Sequence, residues 1–599
     1  MKYFCNPLNV VYRYQFNEEY RNKTAPKKVD REAADPSMIC FQGKYYIFPS
    51  MSLGCWVSED MVEWKNYKLP DNLPFYDYAP DVRVMGDYVY FCASSHDHPC
   101  SHYRTKDVLN GPYEEIPGEF DFWDPNLFVD DDGRVYFYWG CSAITPIWGV
   151  EKDPNTMKNI GEPVGLIAGH ADLNGFERVG DNNSVNPLSD EELEVALETM
   201  MKARGIKRED VDETMYFMMR GYVSKRPYIE GAWMSKFGGK YYLQYAFAGS
   251  QYNTYGDGVY VSDSPLGPFT LAENAPFSYK PGGFMNGAGH GSTMEDLKSN
   301  IWHTATMRIS VNHNFERRVG IWPSGVDKDG ELFCNQRYGD WPVAVSGEKQ
   351  DPWADPEWYL LSYKKSAKAS SFEEGKGPDL IANEDCRTWW RAASNKPGEW
   401  VELDLGEAYD VRAIQVNFAD DTISDVECPG EVVGTTQARY IDGRDLYTRY
   451  CLEGSLDGKE YFTIEDKSEA DSDLTHDFLV REDGIKVRFL KLTVIDTAYH
   501  QPACISGLRV FGFGNGTKPE APTFSVTRDN DLEMTVKISG ENATGYNVLW
   551  GSSPEKLYHS WMTFEQEQKV TALVKDRDYY VRVDAFNENG ITEGTVVKL

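Results

Sequence analysis

The sequence has no hydrophobic run long enough to cross a membrane. No stretch of its 599 residues approaches the roughly 18 consecutive apolar residues of a membrane-spanning helix. The start of the chain also lacks the basic segment and the apolar run of about 7 or more residues that mark a secretory signal. We therefore expect no membrane span and a cytoplasmic protein; the alternative is a secreted or periplasmic protein whose signal has been removed.

Positive charge is scarce. The chain carries 61 Lys and Arg residues against 94 Asp and Glu residues, which gives a net charge of −33, and its basic residues form no cluster. A surface of this sign repels polyanions such as nucleic acids and anionic membranes. Neither class is therefore expected as a partner.

Closely spaced cysteine pairs are also missing. None of the 11 cysteines forms a C-x-x-C pair, and Cys40, Cys92 and Cys141 lie within apolar runs, where a free thiol packs as a small hydrophobic group. We expect reduced thiols, as in a cytosolic protein, with pairing of a few cysteines as the alternative.

Short aromatic and β-branched segments are abundant. Aromatic residues make up 14% of the chain, and runs rich in Val, Ile, Tyr and Phe alternate with Gly, Asp and Asn turns. Heptad patterns typical of helices are scarce. The composition predicts an all-β chain, and 599 residues exceed what one hydrophobic core organises, so several domains are expected.

A polar residue followed by two strand-like segments recurs in the first half of the chain. The copies include "ADPSMICFQGKYYIF", "APDVRVMGDYVYF" and "WDPNLFVDDDGRVYFYW", which begin roughly 45 residues apart. The polar residues of the five copies are Asp35, Asp81, Asp124, Glu230 and His290. A single Asp-Pro is more often a turn starter, but five copies in phase predict a five-bladed β-propeller, in which these residues converge on the axis.

The longer steps between the later copies require insertions. One is visible at about 186–220, where Ser189 and Glu192 form a capping box and Leu193 and Leu197 keep helical spacing. This pattern predicts a helical excursion on a loop.

Five segments together resemble glycoside hydrolase family 43, whose members are five-bladed propeller enzymes acting on arabinose- and xylose-containing glycans. The segments are "AADPSMICFQGKYYIF", "WDPNLFVDDDGRVYFYWG", "YIEGAWMSKFGGKYYLQYA", "GAGHGS" and "NFERRVGIWP". The resemblance covers about residues 6–345. It implies that Asp35 is the general base, that Asp124 is a modulator that orients and tunes the acid, and that Glu230 is the general acid.

The residue types suit glycoside hydrolysis on their own. One carboxylic acid must protonate the leaving oxygen, and one carboxylate must activate water on the opposite face of the sugar. A third carboxylate near the acid disfavours ionisation of the acid and raises its pKa toward the working pH. Two carboxylates for acid and base, with a third that tunes the acid, therefore suit an inverting glycosidase.

Aromatic residues near these carboxylates are candidates for substrate binding. Trp56 is expected to stack on a sugar face. Trp123 and Trp233 flank catalytic carboxylates and are expected to line the pocket, with burial between strands as an equal alternative.

Charged residues complete the predicted site. Asp81 is expected at the axis with the other carboxylates. One of the adjacent pair Arg317 and Arg318 should face inward because side chains alternate along a strand, and the resemblance favours Arg317. The resemblance also implies that His290 helps to hold one structural cation, calcium first, at the axis; a histidine bonded to backbone is the alternative. No organic cofactor is expected.

The sequence motifs change after about residue 345. "GEWVELDLG", "YCLEGSLDGKEY" and "CISGLRVFGFG" resemble a discoidin, or coagulation factor type C, β-sandwich, and "DRDYYVRVDAFNENGITEGT" resembles a fibronectin type III sandwich. These resemblances imply a propeller over 1–345, a discoidin-like sandwich over 346–515 and a fibronectin type III-like sandwich over 516–599. The discoidin-like module is expected either to bind sugar or to pack passively.

The predicted function is an inverting exo-glycosidase that hydrolyses terminal sugars of plant-type oligo- or polysaccharides. An α-L-arabinofuranosidase is expected first, and a β-xylosidase or another furanosidase or galactosidase of the family second. Alternatives are a non-catalytic glycan-binding protein, which would not keep Asp35, Asp124 and Glu230 together, and a retaining fructan hydrolase, whose nucleophile follows an Asn where this chain has Ala34. The oligomeric state stays open.

Overall fold

The computed structural model describes residues 1–21, 24, 29–75, 78–95, 98–433 and 438–599. Within them the regular secondary structure consists almost entirely of antiparallel β-strands, which confirms the all-β prediction. No disulfide bond joins the cysteines in this described part of the chain. No helix of this described part is long and apolar enough to span a membrane.

Five antiparallel sheets, here called ring sheets 1 to 5, follow one another along the first part of the chain, each with four strands in sequence order. Their strands are Ala34–Phe41, Lys44–Ser50, Gly54–Ser58 and Lys65–Lys68 in ring sheet 1; Asp81–Met85, Tyr88–Cys92, His102–Thr105 and Glu114–Ile116 in ring sheet 2; Asn126–Val129, Val135–Trp139, Ile147–Lys152 and Asn159–Ile167 in ring sheet 3; Glu230–Phe237, Lys240–Phe247, Gly256–Ser262 and Thr270–Leu271, with the added strand Ser278–Tyr279, in ring sheet 4; and Gly289–Glu295, Ile301–Arg308, Arg317–Val326 and Leu332–Cys334 in ring sheet 5.

The ring sheets form a closed circle. The first strand of each sheet contacts the first strand of the next, and the first strand of ring sheet 5 returns to that of ring sheet 1. Backbone N–H groups of these innermost strands donate to polar side chains of a neighbouring sheet, which satisfies buried donors and fixes the sheets against one another. These bonds run from Val82 to Ser37, from Leu127 to Asp81, from Met234 to Asn126 and from Met38 to Ser292.

Two α-helices interrupt the ring between sheets 3 and 4. Helix α1 spans Asp190–Ala203 and helix α2 spans Glu213–Val223. The Ser189 side chain accepts the N–H of Glu192, whose carboxylate accepts the N–H of Ser189 in return, so the capping box predicted from the sequence begins α1. Short 3-10 turns occur at Glu18–Arg21, Gly175–Glu177, Asp181–Asn183, Arg208–Asp210, Pro378–Ala382 and Ala498–His500.

Two strands near the N terminus tie the ring to later parts of the chain. Lys2–Phe4 pairs with Val343–Val345. Arg13–Asn17 lies between Val29–Glu32 and Arg439–Ile441 in a three-stranded sheet. The last of these strands comes from far beyond the ring, so residues 438–442 are built into its wall.

Two further groups of strands follow the ring, here called the second and third modules. The second module comprises Tyr359–Leu360, Ser366–Ala369, Trp390–Arg391, Glu399–Phe418, Arg449–Ser455, Tyr461–Asp466, His476–Asp496 and Cys504–Phe513. The strand Arg439–Ile441, which pairs with Arg13–Asn17, is counted with it because it lies between two of these strands in sequence. The third comprises Thr523–Asn530, Glu533–Ser539 and Glu567–Val570 in one sheet, and Gly545–Gly551, His559–Thr563, Tyr580–Asn587, Gly590–Thr592 and Val597–Lys598 in another.

The hydrophobic cores show how these parts pack. The second module has a core of its own, to which Trp390 and Leu452 belong. The third module shares one continuous core with ring sheets 3 and 4, in which Tyr245 and Phe247 belong to the same cluster as Trp550. The third module is therefore packed on the ring and not suspended from it.

Candidate active site

Four of the predicted polar residues stand where innermost strands begin. Asp35, Asp124 and His290 have positive φ angles of 49°, 50° and 50°, and Gly231, directly after Glu230, has a φ of 60°. The strand pairing of ring sheets 1, 4 and 5 also shifts register at these points. Bulges and left-handed residues re-aim side chains. Here they turn the four polar side chains toward one mouth of the circle.

Asp35 is buried, and both of its carboxylate oxygens have partners. Ser50 Oγ donates to Oδ2 at 2.8 Å, and Arg317 Nη1 donates to Oδ1 at 3.2 Å. The backbone N–H of Asp35 donates to Thr306 Oγ1 at 2.8 Å, which ties ring sheet 1 to ring sheet 5. The guanidinium stabilises a charged carboxylate at this position, which is the form that a general base requires.

Asp124 lies beside the backbone that carries Glu230. The N–H of Gly231 donates to Asp124 Oδ2 at 3.3 Å. Burial raises the pKa of Asp124 to about 7; His290 opposes this rise, whereas the carboxylates of Glu230 and Asp35 add to it. Asp124 therefore exchanges a proton near neutral pH, and its charge depends on the charge of its neighbours.

Glu230 is partly exposed, and two neutral donors hold its carboxyl group. Tyr255 Oη donates to Oε1 at 2.8 Å, and Cys141 Sγ donates to Oε2 at 3.2 Å. Burial raises the pKa of both the Tyr255 phenol and the Cys141 thiol well above their ordinary values. Both groups therefore keep their protons and orient Glu230 as hydrogen-bond donors.

His290 lies between the carboxylates. Its Nδ1 is 3.5 Å from Asp35 Oδ1 and 3.8 Å from Asp124 Oδ2, and its backbone N–H donates to Asp257 Oδ1 at 2.7 Å. Burial alone lowers the pKa of His290, but the surrounding carboxylates outweigh burial and raise it above its ordinary value. A Cβ at Gly231 would lie 2.7 Å from His290 Cγ, so only glycine fits there.

The assembled site combines three kinds of carboxyl group. Asp35 is paired with a guanidinium, Asp124 titrates near neutral pH, and Glu230 is held by two neutral donors. Asp124, Glu230 and His290 each present one atom within 4.8 Å of the other two. A proton acceptor and a proton donor thus face one mouth, as hydrolysis of a glycosidic bond requires.

Comparison with protein families decides the identity of the fold and chemistry. The model of glycosyl hydrolases family 43 matches residues 29–179 and 186–332, which contain all four of these residues. The chain belongs to this family. It is therefore a glycoside hydrolase of an inverting family, and the alternatives of a non-catalytic glycan-binding protein and of a retaining fructan hydrolase are set aside.

Named enzymes are among the proteins to which this chain is similar. Xylosidase/arabinosidase 43A of Humicola insolens is 26% identical over 367 residues, which cover 52% of this chain and 99% of the relative. A xylosidase/arabinosidase of Bacteroides ovatus is 26% identical over 274 residues, which cover 40% of this chain and 76% of the relative. The solved structure of Bacteroides ovatus xyloglucan PUL GH43B aligns with 100% of this chain and 98% of its own, at 14% identity and a TM-score of 0.41.

Asp81 does not join the other family 43 residues at the mouth. It is 2% exposed, and its two oxygens accept hydrogen bonds from Asn126 Nδ2 at 3.0 Å and from the N–H of Leu127 at 2.7 Å. The residue of positive φ before the proline in ring sheet 2 is Ala79, so the reversed Pro-Asp order places the carboxylate two residues farther along. The prediction that Asp81 binds substrate is wrong, because this carboxylate joins ring sheets 2 and 3.

Two of the predicted tryptophans are buried. Trp56 is 0% exposed, and its Nε1 donates to the carbonyl of Val11 at 3.2 Å. Trp233 is 4% exposed, its Nε1 donates to the carbonyl of Thr293 at 3.1 Å, and the Arg83 guanidinium lies 3.5 Å from its ring centroid. The substrate-binding prediction for Trp56 is wrong, because its indole fills space between strands. For Trp233 the structure shows the alternative given with the prediction, burial between strands.

Trp123 and Arg317 remain candidates for substrate binding in this family 43 site. Trp123 is partly exposed directly before Asp124. Arg317 reaches Asp35, whereas the Nε of Arg318 donates to His476 Nε2 at 3.0 Å. The placement agrees with the choice of Arg317 over its neighbour, and its contact with substrate stays a prediction.

Sequence reasoning missed the residues that hold the predicted ones in place: Cys141, Tyr255, Glu32 and Arg439. Only Glu32 has a position that could have drawn attention, because it lies three residues before Asp35, next to the first repeated segment. The others lie outside any repeated motif. Only the three-dimensional structure brings them to the site.

Proposed function

We propose that the protein is an inverting exo-glycosidase that removes terminal α-L-arabinofuranosyl residues from plant-type glycans. The observation that carries the proposal is the grouping of Asp35, Asp124 and Glu230 around His290 at one mouth. Two relatives are named xylosidase/arabinosidases, which supports arabinose and xylose as the sugars. β-Xylosidase activity is the second candidate for the same reason.

In this proposal Asp35 is the general base and Glu230 the general acid. Asp35, fixed by Ser50 and Arg317, takes a proton from the water that attacks the anomeric carbon. Glu230 gives its proton to the leaving oxygen as the glycosidic bond breaks, so the product has the inverted configuration. Tyr255 orients the acid by donating to Oε1.

Asp124 is the proposed modulator of the acid. Its Oδ2 accepts the N–H of Gly231, which directly follows Glu230, so Asp124 fixes the backbone from which the acid projects. Positioning of the acid is therefore the role that this contact supports.

We propose that the ring sheets are the blades of a five-bladed β-propeller over 1–345, followed by a discoidin-like sandwich over 346–515 and a fibronectin type III-like sandwich over 516–599. The closed circle of innermost strands supports the first assignment. The Tyr579 hydroxyl accepts the N–H of Val574 at 2.9 Å, as in a tyrosine corner, which supports the last.

A panel of nitrophenyl glycosides tests the proposed function. We expect the highest kcat/KM on the α-L-arabinofuranoside, followed by the β-D-xyloside, with little turnover of the β-D-galactofuranoside and β-galactoside. Proton NMR of the early product should show inversion. A preference for either galactoside, or a retained configuration, would contradict the proposal. The Asp35→Asn variant serves as the blank, because it keeps the size of the side chain and removes the base.

A structural cation, calcium first, is a separate proposal. Calcium prefers six to eight oxygen ligands, so water would have to supplement the few donors near His290. The Nδ1 of His290 faces Asp35 and Asp124, so in its neutral form the ring would use Nε2 to accept a hydrogen bond from a water bound to the ion. We propose that the ion lies deeper than Glu230, closer to His290, and acts structurally.

The cation proposal predicts that His290→Ala lowers kcat more than it lowers Tm, and that a chelator has only a modest effect on activity. Elemental analysis of the purified protein measures the ion directly. A protein without bound metal would contradict the proposal and would leave the roles of the carboxylates untouched.

A further inference from the structure

The second module reaches the catalytic machinery through one side chain. We propose that Arg439 is a positioning residue for the base, acting on Asp35 through Glu32 and Arg317, and that the second module is therefore part of the active site. The inference rests on the proposed function, because it takes Asp35 as the base. It assigns a catalytic purpose to a module otherwise expected to bind sugar or to pack passively.

A continuous chain of ion pairs links the four residues. Arg439 Nη1 donates to Glu32 Oε2. The other oxygen, Oε1, accepts from Arg317 Nε at 3.0 Å and also from its Nη2. Arg317 Nη1 then donates to Asp35 Oδ1 at 3.2 Å. All four residues are 4% exposed or less, so water screens these interactions little.

Strand pairing delivers Arg439 to this position. Arg439–Ile441 pairs with Arg13–Asn17, whose other edge pairs with Val29–Glu32. Arg439 Nη1 also donates to Gln15 Oε1 on the strand between them. Ladder hydrogen bonds thus fix the backbone on both sides of the Arg439–Glu32 pair, so the guanidinium is pre-organised.

Positive and negative side chains alternate from Arg439 through Glu32 and Arg317 to Asp35, which is how Arg439 can influence the position of Asp35. Each oxygen of Glu32 is committed to a different guanidinium, which leaves Arg317 free to hold Asp35 with Nη1. Without Arg439, Glu32 Oε2 loses its partner and Arg317 is the one guanidinium left for both oxygens. The Glu32 carboxylate then competes with Asp35 for Arg317. Removing one partner of a buried ion pair leaves an uncompensated charge, and here only Arg317 lies between that charge and the base.

The same end of the second module is buried against the ring at other points. Asp420 Oδ1 is 3.2 Å from Arg31 Nη2, and the Asp420 carbonyl accepts from Asn312 Nδ2 at 2.8 Å. His476 Nε2 bonds Arg318 Nε, next to Arg317. Asp420 and His476 are therefore committed to contacts with the ring.

Steady-state kinetics of Arg439→Met test the inference in the full-length protein. A base displaced by about 1 Å costs on the order of 10²-fold in rate, so we expect a fall of that size in kcat with little change in KM. Arg439→Lys should recover part of the loss, because it restores the charge without the fork. The matched control is Arg509→Met, which removes another buried arginine of the second module, paired with Glu384 at 2.8 Å.

A double variant separates positioning from mere folding. If Arg439 acts through Glu32, combining Glu32→Gln with Arg439→Met should cost no more activity than the worse single change. Tm is measured for every variant, and if Arg439→Met does not fold, Arg439→Lys and Glu32→Gln decide. Additive losses, or a kcat loss equal to that of Arg509→Met at the same Tm, would overturn the inference.

Asp35→Asn is measured in parallel to separate the two levels of the argument. Loss of activity in Asp35→Asn together with wild-type kcat in Arg439→Met refutes only the positioning role. Wild-type activity in Asp35→Asn refutes the proposed function, and with it the reason to place Arg439 in the site.

Discussion

Asp35→Asn and Glu230→Gln should each abolish hydrolysis, with a loss in kcat/KM of about 10²–10⁴-fold or more. Asp35→Asn removes the group that accepts the proton of water, and Glu230→Gln removes the group that protonates the leaving oxygen. Both changes keep the shape of the side chain, so Ser50, Arg317 and Tyr255 keep a neighbour of the same size. Folding, measured by Tm, should change little.

The leaving group distinguishes the two roles. A phenol of low pKa needs little protonation on departure, so Glu230→Gln should lose far less activity on a dinitrophenyl glycoside than on a natural glycan. Asp35→Asn should lose as much on both substrates, because the attacking water needs the base in either case. The control is Asp81→Asn, whose carboxylate joins ring sheets 2 and 3 and whose loss should affect Tm and not kcat. Near-wild-type turnover in either catalytic variant would refute the assignment.

Removal of residues 346–599 should prevent the ring from folding stably. The third module and ring sheets 3 and 4 share one hydrophobic core, and the second module supplies Arg439 and Asp420 to buried ion pairs of the ring. Emptying a site of one large core residue costs about 2–5 kcal/mol, and a domain has only about 5–15 kcal/mol of net stability. Loss of a whole face of the core therefore costs more free energy than the net stability of the ring.

Solubility, thermal unfolding and turnover of a small glycoside measure this effect. Removal of 516–599 alone is the informative control, because it opens the shared core and keeps Arg439. We expect that shorter deletion to lower Tm strongly while any folded fraction keeps its kcat. A soluble 1–345 fragment that unfolds cooperatively and hydrolyses the glycoside at the full rate would show that the later modules are dispensable.

The residues at the mouth of the ring were predictable because their signal is local. An Asp before a Pro, or a His between glycines, marks the left-handed turn that begins an innermost strand, and the motif repeats along the chain. The same reasoning failed for Asp81, because the reversed Pro-Asp order was taken as equivalent although the turn geometry belongs to Ala79. The two-residue offset is a matter of backbone conformation that composition alone does not reveal.

Burial and long-range contacts could not be predicted from the sequence. By residue type alone, a tryptophan beside a strand is as compatible with a binding pocket as with a hydrophobic core. The structure shows that Trp56 and Trp233 are buried between strands. Arg439 lies more than 400 residues from Glu32, in a segment with no repeated motif. Its role follows only from the pairing of strands that no local pattern predicts.

The pairing of Lys2–Phe4 with Val343–Val345 has a consequence for synthesis on the ribosome. Chains grow at about 5–20 residues per second, so the first strand waits tens of seconds for its partner. The strand Arg13–Asn17 waits longer, since Arg439–Ile441 emerges later still. The apolar faces beside these strands stay uncovered meanwhile, and the enzyme gains its complete catalytic wall only after residues 439–441 have been made.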